Sequence, residues 1–314
     1  MQRRFKAASL VVVLAAFSLT LAGCTEIGKL KAKKAFKEAN VLYQQQDYKR
    51  AAQKYEEVVQ DDPSMSTAYF YLANSYDNLY KPSRKGEPAN DEYLKKAIEN
   101  YRKCADTEKD PKLKKLSLEY LVAAYGPDKM NDPGQAVPLI EEMIRLEPTD
   151  PTNYFVLSKM YEDAGNYEVA EQELLKAKEM RPNDSNTYMQ LAGFYNRQGD
   201  FEKTMQALQE RADKEPTNPE AYYTIASYYW EKAYRDFRLK DADKLKYIEL
   251  GLQAADKALQ LKPDYPEALT YKNLLLRSKA LVIKDPAQQQ ALLKEADKLR
   301  DRAIELRKKK AGGQ

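Results

Sequence analysis

The sequence predicts an all-α fold in which helical hairpins follow one another along the chain. Apolar and aromatic residues recur at helical spacing, as at Tyr154, Leu157 and Tyr161. The pattern returns at a fixed period, because the prolines that close helical segments occupy positions 148, 182 and 216, which are 34 residues apart. The composition, with 11 Gly and 32% charged residues among 314, fits a helical array better than an all-β or disordered chain.

The two units bounded by these prolines are the most regular. The first helix of the first unit is predicted to end at Gly165, where a positive φ stops a helix and turns the chain. The second helix of that unit closes at Pro182. The next unit repeats this order, with Gly199 at its turn and Pro216 at its end. Each unit is therefore predicted to be one pair of helices joined by a short turn.

The units before this pair keep the pattern with local departures. The first repeat runs from about residue 33 to Pro63. In the second repeat, the polar stretch 81–91 carries two Pro and one Gly, which predicts a long loop between the paired helices. In the third, residues 126–134 are predicted to form a widened turn, and Pro138 to lie in the first turn of the following helix.

The units after the regular pair are longer. Asn218 and Pro219 are the residue types expected at the start of a helix. Pro216 and Pro263 are 47 residues apart, and the additional residues around 235–246 are charged but contain no Gly or Pro. Lengthened helices are therefore predicted in the sixth repeat. Residues 266–281 begin a seventh hairpin, and the charged surface of a long helix over 287–310 suits the end of an array.

This pattern resembles the tetratricopeptide repeat (TPR) family. Its units carry a large residue, Leu, a small residue and Tyr on the first helix, Ala on the second, and a closing Pro. The resemblance covers nearly all of residues 33–282, and it implies an α-solenoid of about seven hairpins that forms a right-handed superhelix. Residues 33–314 are accordingly expected to form one TPR domain with a C-terminal capping helix.

The N-terminus carries a targeting pattern over residues 1–23. Three basic residues precede a short uncharged apolar segment, which is too short to be a stable membrane span. The sequence Leu-Ala-Gly-Cys that ends at Cys24 resembles the lipobox of bacterial lipoproteins, which implies that Cys24 is lipidated after cleavage. The alternative is an ordinary cysteine after an ordinary signal peptide. Residues 24–32 are expected to be a short tether beside the membrane.

These features predict a location in the bacterial cell envelope. The resemblance implies a lipid anchor, and Thr25 in place of a retention-signal Asp favours the outer membrane, with the protein facing the periplasm. Removal of residues 1–23, which hold three basic and no acidic residues, lowers the formal net charge from +4 to +1. This near-neutral balance argues against nucleic-acid binding. Cys104 would be the only other thiol, and we interpret it as a buried helix residue, with a reactive or intermolecular role as the alternative.

The residue types exclude the common catalytic sites. The chain has no His, which removes Ser-His-Asp and Cys-His nucleophile systems and His-ligated metal sites. It also lacks a Gly-rich phosphate loop, a dinucleotide fingerprint and a Cys pair at metal-binding spacing. The prediction is a non-catalytic protein with no cofactor and no metal.

The resemblance implies a concave surface lined by one face of the first helix of each repeat. The large apolar residues on this face are Phe36, Phe70, Phe155, Met189 and Tyr223. Its polar and other aromatic residues are Asn40, Tyr43, Asn74, Asp77, Lys159, Glu162, Asn196 and Trp230. Asn can pair with a peptide backbone, and aromatic side chains supply contact area at low entropic cost. The alternative is that the large apolar residues pack along the inner helices.

The sequence is compatible with two functions. The first is a lipid-anchored envelope adaptor that binds an extended peptide or a partner protein in the concave groove. The second is a structural subunit of an envelope assembly, for outer-membrane protein insertion, a pilus or a secretion complex, that uses its convex or end surfaces.

The lipid anchor is tested by Cys24→Ser. Because the thiol is the group that accepts the lipid, this variant should accumulate as an unlipidated precursor. Metabolic labelling with an alkynyl fatty acid measures the modification, and the unaltered chain is the control. If the Ser variant were labelled as strongly as the unaltered chain, the lipobox interpretation would be lost.

Overall fold

The computed structural model describes residues 26–311, and every regular element of that range is helical. Cys24 and the predicted targeting segment lie outside the described residues. The helices are α1 over 26–44, α2 Tyr48–Asp61, α3 Ser66–Leu79, α4 Pro88–Thr107, α5 Pro111–Tyr125, α6 Pro133–Leu146, α7 Pro151–Asp163, α8 Tyr167–Met180, α9 Ser185–Arg197, α10 Phe201–Lys214, α11 Pro219–Arg235, α12 Asp241–Leu261, α13 Pro266–Val282 and α14 Pro286–Ala311. In chain order they make seven consecutive pairs, which confirms the predicted all-α repeat fold.

The described residues form two compact units, 26–166 and 167–311. Unit 1 holds the first three helical pairs and α7. Unit 2 holds α8 and the last three pairs. Within each unit, consecutive helices pack against each other, and in unit 2 the first helices of successive repeats, α11 and α13, are also in contact.

The helix starts and turns follow from local sequence. Asn218 caps α11, because its side-chain oxygen accepts a hydrogen bond of 3.0 Å from the backbone N–H of Glu220. Gly165 and Gly199 adopt φ values of 79° and 76° at the two regular turns, as predicted. Gln46 takes the equivalent place in the first repeat with a φ of 62°, so this turn forms there without glycine.

The predicted departures from the regular repeat are present, with different bounds. The stretch 81–91 is a shorter loop than expected, because α4 already begins at Pro88, and it contains a 3-10 helix, Pro82–Arg84. Pro138 lies inside α6 and not in its first turn, since Asp132 caps that helix and Pro133 begins it. In the sixth repeat α11 and α12 extend to 17 and 21 residues, which confirms the lengthened helices.

The first helix reaches closer to the N-terminus than the expected tether allows. Residues 26–32 are helical and continue directly into the first repeat. Ala32 is completely buried and packs in a cluster with Val58 of α2 and Ala68 of α3. The apolar face of α1 therefore extends back through the segment that the sequence suggested would be a linker.

The buried surfaces of both units are rich in Ala, Leu and Tyr. The fully buried side chains include Tyr55 and Tyr101 in unit 1 and Tyr188 in unit 2. Cys104 is a free, buried thiol in α4, and burial raises its pKa. A protonated thiol without solvent access fits the interpretation of Cys104 as a packing residue.

Helix packing around Gly251 in α12 gives a direct test of this fold. A Cβ atom at Gly251 would lie 2.8 Å from Leu275 Cδ2 and 3.1 Å from Tyr229 Cβ, on the two helices against which α12 packs. Gly251→Ala should therefore lower the free energy of unfolding by about 1–3 kcal/mol, despite the better helix propensity of Ala. Urea unfolding followed by circular dichroism measures it.

The matched control is Gly193→Ala in α9 of the same unit. A Cβ atom there would meet only the flexible end of Arg197, at 3.3 Å. This substitution should raise stability by up to about 1 kcal/mol, because Ala is the better helix former. An equal gain for both variants would show that α12 does not approach α11 and α13 as closely as described.

Candidate functional site

The predicted partner-binding residues fall into both units. Nine of them lie in unit 1, on α1, α3 and α7, and four lie in unit 2, on α9 and α11. The structure brings several of them together within each unit, so the two groups are described separately.

One group of residues in unit 1 lines a cleft that we call the tyrosine cleft. It has a volume of about 320 Å³ and is lined by Tyr43, Tyr48, Asn74, Asp77, Asn78 and Tyr120. Three of these, Tyr43, Asn74 and Asp77, were predicted from the sequence. Residues of α1, α2, α3 and α5 therefore converge on one polar recess with aromatic walls.

The asparagines at this surface bind tyrosines of the protein itself. Tyr55 Oη donates a hydrogen bond of 2.6 Å to Asn40 Oδ1. Tyr43 Oη donates one of 2.6 Å to Asn74 Oδ1, and Asn74 Nδ2 donates one of 3.1 Å to Tyr101 Oη. Asn74 is buried and uses both ends of its amide in this way. The Asn74 amide, which was expected to pair with a peptide backbone, is therefore occupied by contacts within the protein.

Burial keeps these tyrosines neutral. It raises the pKa of Tyr55 and of Tyr101 well above the usual range for tyrosine. Each hydroxyl can then both donate and accept a hydrogen bond, and in the low-dielectric interior each needs a partner. The asparagine side chains supply these partners, which fixes the aromatic rings in place beneath the cleft.

Asp77 and Asn78 border the same recess. Asp77 forms an ion pair with Lys129, which lies in the turn after α5, and both side chains are largely shielded from solvent. Asn78 Nδ2 donates a hydrogen bond of 2.9 Å to Asn74 Oδ1. The charge of Asp77 is thus already compensated, so the cleft presents no free carboxylate from this residue.

Two hydroxyls at the cleft remain open. Tyr48 and Tyr120 are half-buried, and neither hydroxyl has a hydrogen-bond partner among residues 26–311. The Tyr120 ring stacks on Tyr101, with a centroid distance of 5.1 Å. A bound molecule can contact these two hydroxyls by hydrogen bonds, and also Asn78 Oδ1, which has no hydrogen-bond partner among the described residues.

The apolar candidates of unit 1 differ in exposure. Phe70 is 6% exposed, with its ring 5.8 Å from Tyr101 and 5.6 Å from Tyr120, so at this position the packing alternative applies. Phe36 is half-buried, 5.8 Å from Tyr55. Phe155 on α7 is also half-buried.

The charged candidates of α7 lie close together. The exposed Lys159 is 3.9 Å from the buried carboxylate of Glu162 and forms a shorter ion pair with Asp163. Its charge is therefore shared between two neighbouring carboxylates.

In unit 2 the predicted aromatic residues belong to a longer series. Tyr223 lies 5.2 Å from Tyr265 and 6.2 Å from Tyr271, and Trp230 lies 5.9 Å from Tyr271 and 5.1 Å from Tyr234. The rings form a continuous aromatic row across α11 and α13.

The other two candidates of unit 2 lie on α9. Met189 receives a contact of 3.1 Å from Arg211 Nη1. Asn196 is exposed and borders a cavity of about 390 Å³ beside Phe201 and Tyr228. Neither Met189 nor Asn196 belongs to the aromatic row.

Sequence reasoning missed Tyr48, Asn78 and Tyr120. A signal for Tyr120 was present, because Tyr71, Tyr120 and Tyr271 share one position of the repeat, a single residue after the large apolar candidates. The ring of Tyr71 contacts Tyr43, that of Tyr120 stacks on Tyr101, and that of Tyr271 contacts Trp230. The family pattern for the concave surface does not include this position.

The described residues show neither a metal site nor a membrane span. No group of three or more Cys, Asp or Glu side chains in the described part of the chain is arranged to hold a metal ion. No helix within residues 26–311 has the length and apolar character needed to cross a membrane.

Comparisons with known proteins found the following similarities. A family model described as tetratricopeptide repeat matches residues 36–79. The C-terminal part of a TPR repeat-containing protein from Cytophaga hutchinsonii is similar over 86% of this chain and 98% of its own, with 16% identity and a TM-score of 0.56. A tetratricopeptide repeat protein from Parabacteroides merdae is similar over 85% and 99%, with 14% identity and a TM-score of 0.46. PilW, a type IV pilus biogenesis factor, is similar over 76% and 97%, with 15% identity and a TM-score of 0.42. No curated protein matches the sequence.

A tetratricopeptide repeat motif is thus matched over residues 36–79, and the solved structure from Cytophaga hutchinsonii shows the same helical-repeat fold. TPR arrays are interaction scaffolds that are typically non-catalytic and bind peptides or proteins.

The contribution of the asparagine–tyrosine hydrogen bonds to the stability of unit 1 can be tested by substitution. Asn74→Ala should lower the free energy of unfolding by about 1–3 kcal/mol, because it leaves the buried Tyr101 hydroxyl without a partner. Thermal and urea unfolding measure the loss. The control is the double variant Asn74→Ala with Tyr101→Phe, which removes the orphaned hydroxyl and should lose less than the sum of the two single changes. Strict additivity would contradict the network.

Proposed function

We propose that this protein is a non-catalytic adaptor that binds an extended segment of a partner protein along its inner helix faces, with the tyrosine cleft as the principal contact in unit 1. The observation that carries the proposal is the pair of open hydroxyls, on Tyr48 and Tyr120, in a recess where Tyr43, Asn74 and Asp77 are already paired within the protein. A rigid recess with two available hydrogen-bonding groups suits a peptide backbone.

The cleft has the properties of a preorganised protein-binding surface. Asn74 and Tyr101 hold the rings of Tyr43 and Tyr120 in place through a hydrogen bond and a stacking contact. Binding therefore requires little further ordering of side chains, which favours affinity. Tyrosine supplies a large apolar ring and a polar tip, and for this reason it is enriched at protein interfaces.

The location that we propose rests on the N-terminal residues. The sequence that ends at Cys24 supports lipidation at that thiol, and the following Thr25 favours the outer membrane. A lipid anchor with two or more acyl chains holds a protein stably at a membrane, where one chain does not. The adaptor would then present its repeats to partners in the periplasm.

A second candidate function is that of a structural subunit in an envelope assembly. It is favoured by exposed apolar residues away from the aromatic row of unit 2. Phe237, in the loop after α11, is 87% exposed, and Leu281, near the end of α13, is 82% exposed. Contacts through these residues would use the ends of helices and not the inner faces.

Site-specific photocrosslinking separates the two functions. A benzoylphenylalanine introduced at Asn78, on the rim of the tyrosine cleft, should crosslink the partner in intact cells if the adaptor proposal holds. The same group at the exposed Gln53 of α2, outside the cleft lining, is the control. Crosslinks from Phe237 and none from Asn78 would favour the assembly function.

The recovered partner then allows a test of the hydroxyls. The double variant Tyr48→Phe with Tyr120→Phe should weaken binding by about 1–3 kcal/mol, the worth of two hydrogen bonds, and leave the melting temperature unchanged. Isothermal titration calorimetry measures the affinity. Tyr93→Phe is the matched control, since Tyr93 is another half-buried tyrosine of unit 1 that does not line the cleft. Unchanged affinity in the double variant would remove the cleft from the binding surface.

A further inference from the structure

The outer face of α1 exposes large apolar side chains. The inner face of this helix packs on α2 and α3 through residues such as Ala32 and Ala35. On the opposite side, Ile27 and Leu30 are 57% and 67% exposed, and Val41 is exposed further along the same face. Ile27 and Leu30 are three positions apart, so their side chains lie side by side on the helix. The outer face of α1 is therefore partly apolar although it faces solvent.

Lysines surround these apolar residues. Residues 26–38 hold five lysines and two glutamates, a net charge of +3. Lys29 pairs with Glu26 at 2.8 Å, and Glu38 lies 3.6 Å from Lys54 of α2. The exposed lysines that form no ion pair within residues 26–311 are Lys31, Lys33, Lys34 and Lys37. We call these four the free lysines of α1.

The free lysines repel one another. Lys33 and Lys37 are four positions apart, and Lys31 and Lys34 are three apart, so like charges are neighbours on the helix surface. Such pairs destabilise a helix unless an anion lies nearby. After removal of residues 1–23 the formal net charge is +1, and residues 26–38 contribute +3 of it, so the remainder of the chain carries −2. The positive charge is therefore concentrated at the start of α1.

The place of this face in the chain favours a membrane as its partner. Helix α1 begins at residue 26, two residues after Cys24. Two residues span at most about 7 Å. The headgroup region of a bilayer is about 5–8 Å deep on each side, so a lipid on Cys24 would hold the start of α1 at the headgroups. Because residues 26–32 are helical, the fold itself begins there.

We propose that the outer face of α1 lies on an anionic membrane surface, with Ile27 and Leu30 among the lipid headgroups and the free lysines against lipid phosphates. This inference rests on the lipid anchor proposed at Cys24. Helices that combine an apolar strip with lysines bind in the plane of the membrane interface. Each lysine near an anionic surface strengthens this association about fivefold. Since Tyr43 also belongs to α1, the contact would fix how the tyrosine cleft is oriented to the membrane.

Lysine acylation on lipid vesicles tests this contact. The full chain, extracted in detergent, is reconstituted into vesicles of phosphatidylethanolamine with phosphatidylglycerol, or of phosphatidylcholine alone. A membrane-impermeant succinimidyl acetate is added, and mass spectrometry gives the acylation rate of each lysine. On the anionic vesicles the rates at Lys34 and Lys37 should be at least about fivefold lower than on phosphatidylcholine, the contribution of one lysine. High salt should restore them, because it screens exposed charges.

Two double variants with the same change in charge locate the contact. Lys31→Gln with Lys33→Gln should weaken the association of α1 about 25-fold, fivefold for each lysine, and so restore the two acylation rates. The matched control is Lys95→Gln with Lys103→Gln on α4, which should leave the protection in place. All four positions are exposed, so neither double variant should lower the melting temperature.

Equal acylation rates on the two kinds of vesicle would overturn the proposal, as would protection that survives Lys31→Gln with Lys33→Gln or that extends to Lys95. Protection seen in whole envelope membranes but not on lipid vesicles would show that a protein covers this face instead. The anchor can fail separately. A chain without fatty-acid label whose Lys34 and Lys37 are still protected would exclude the anchor alone, and a labelled chain without that protection would exclude only the membrane contact of α1.

Discussion

The hydrogen bonds between asparagine and tyrosine side chains are the interaction on which unit 1 depends. A tyrosine at a helix interface buries a large ring, which is favourable, together with a hydroxyl, which is unfavourable unless it is paired. Asn40 and Asn74 resolve this conflict by accepting from Tyr55 and Tyr43, and Asn74 also donates to Tyr101. These contacts join α1 to α2, α1 to α3 and α3 to α4, so one residue type fixes both the pairing within a hairpin and the stacking of one hairpin on the next.

The parts of the fold that depend on local sequence could be predicted. Gly165 and Gly199 are at the turns expected for them, and the absence of Gly and Pro around 235–246 indicated the longer helices that α11 and α12 form. The ends of the irregular segments were harder to predict from the sequence. Asp132 and Pro138 both mark possible starts for α6, and in the structure Asp132 is the residue that caps the helix. The site depends on distances between residues far apart in sequence, such as the 31 positions from Tyr43 to Asn74. The residue type of Asn74 suggested that it could bind a peptide backbone. Only the folded positions of Tyr43 and Tyr101 show that the Asn74 amide binds these tyrosines.

The two recesses of unit 1 arise in different ways. The tyrosine cleft follows from regular stacking, because the inner faces of α1, α3 and α5 place side chains of successive repeats side by side. A second recess, of about 470 Å³, lies mainly along α4 and is completed by the segment before α4 and the turn after α5, which exceed the regular repeat length.

The ion pair between Asp77 and Lys129 has a consequence for how the array comes apart. In a linear repeat protein each hairpin contacts its immediate neighbours, and segments can open one after another. Asp77 lies on α3 and Lys129 follows α5, so this pair joins two neighbouring hairpins. Both side chains are largely shielded from solvent, so separating them would leave a charge without its partner. The turn after α5 cannot detach without exposing a charge on α3. The second and third repeats are therefore expected to unfold together in one cooperative step. The irregular part of the array would then resist local opening.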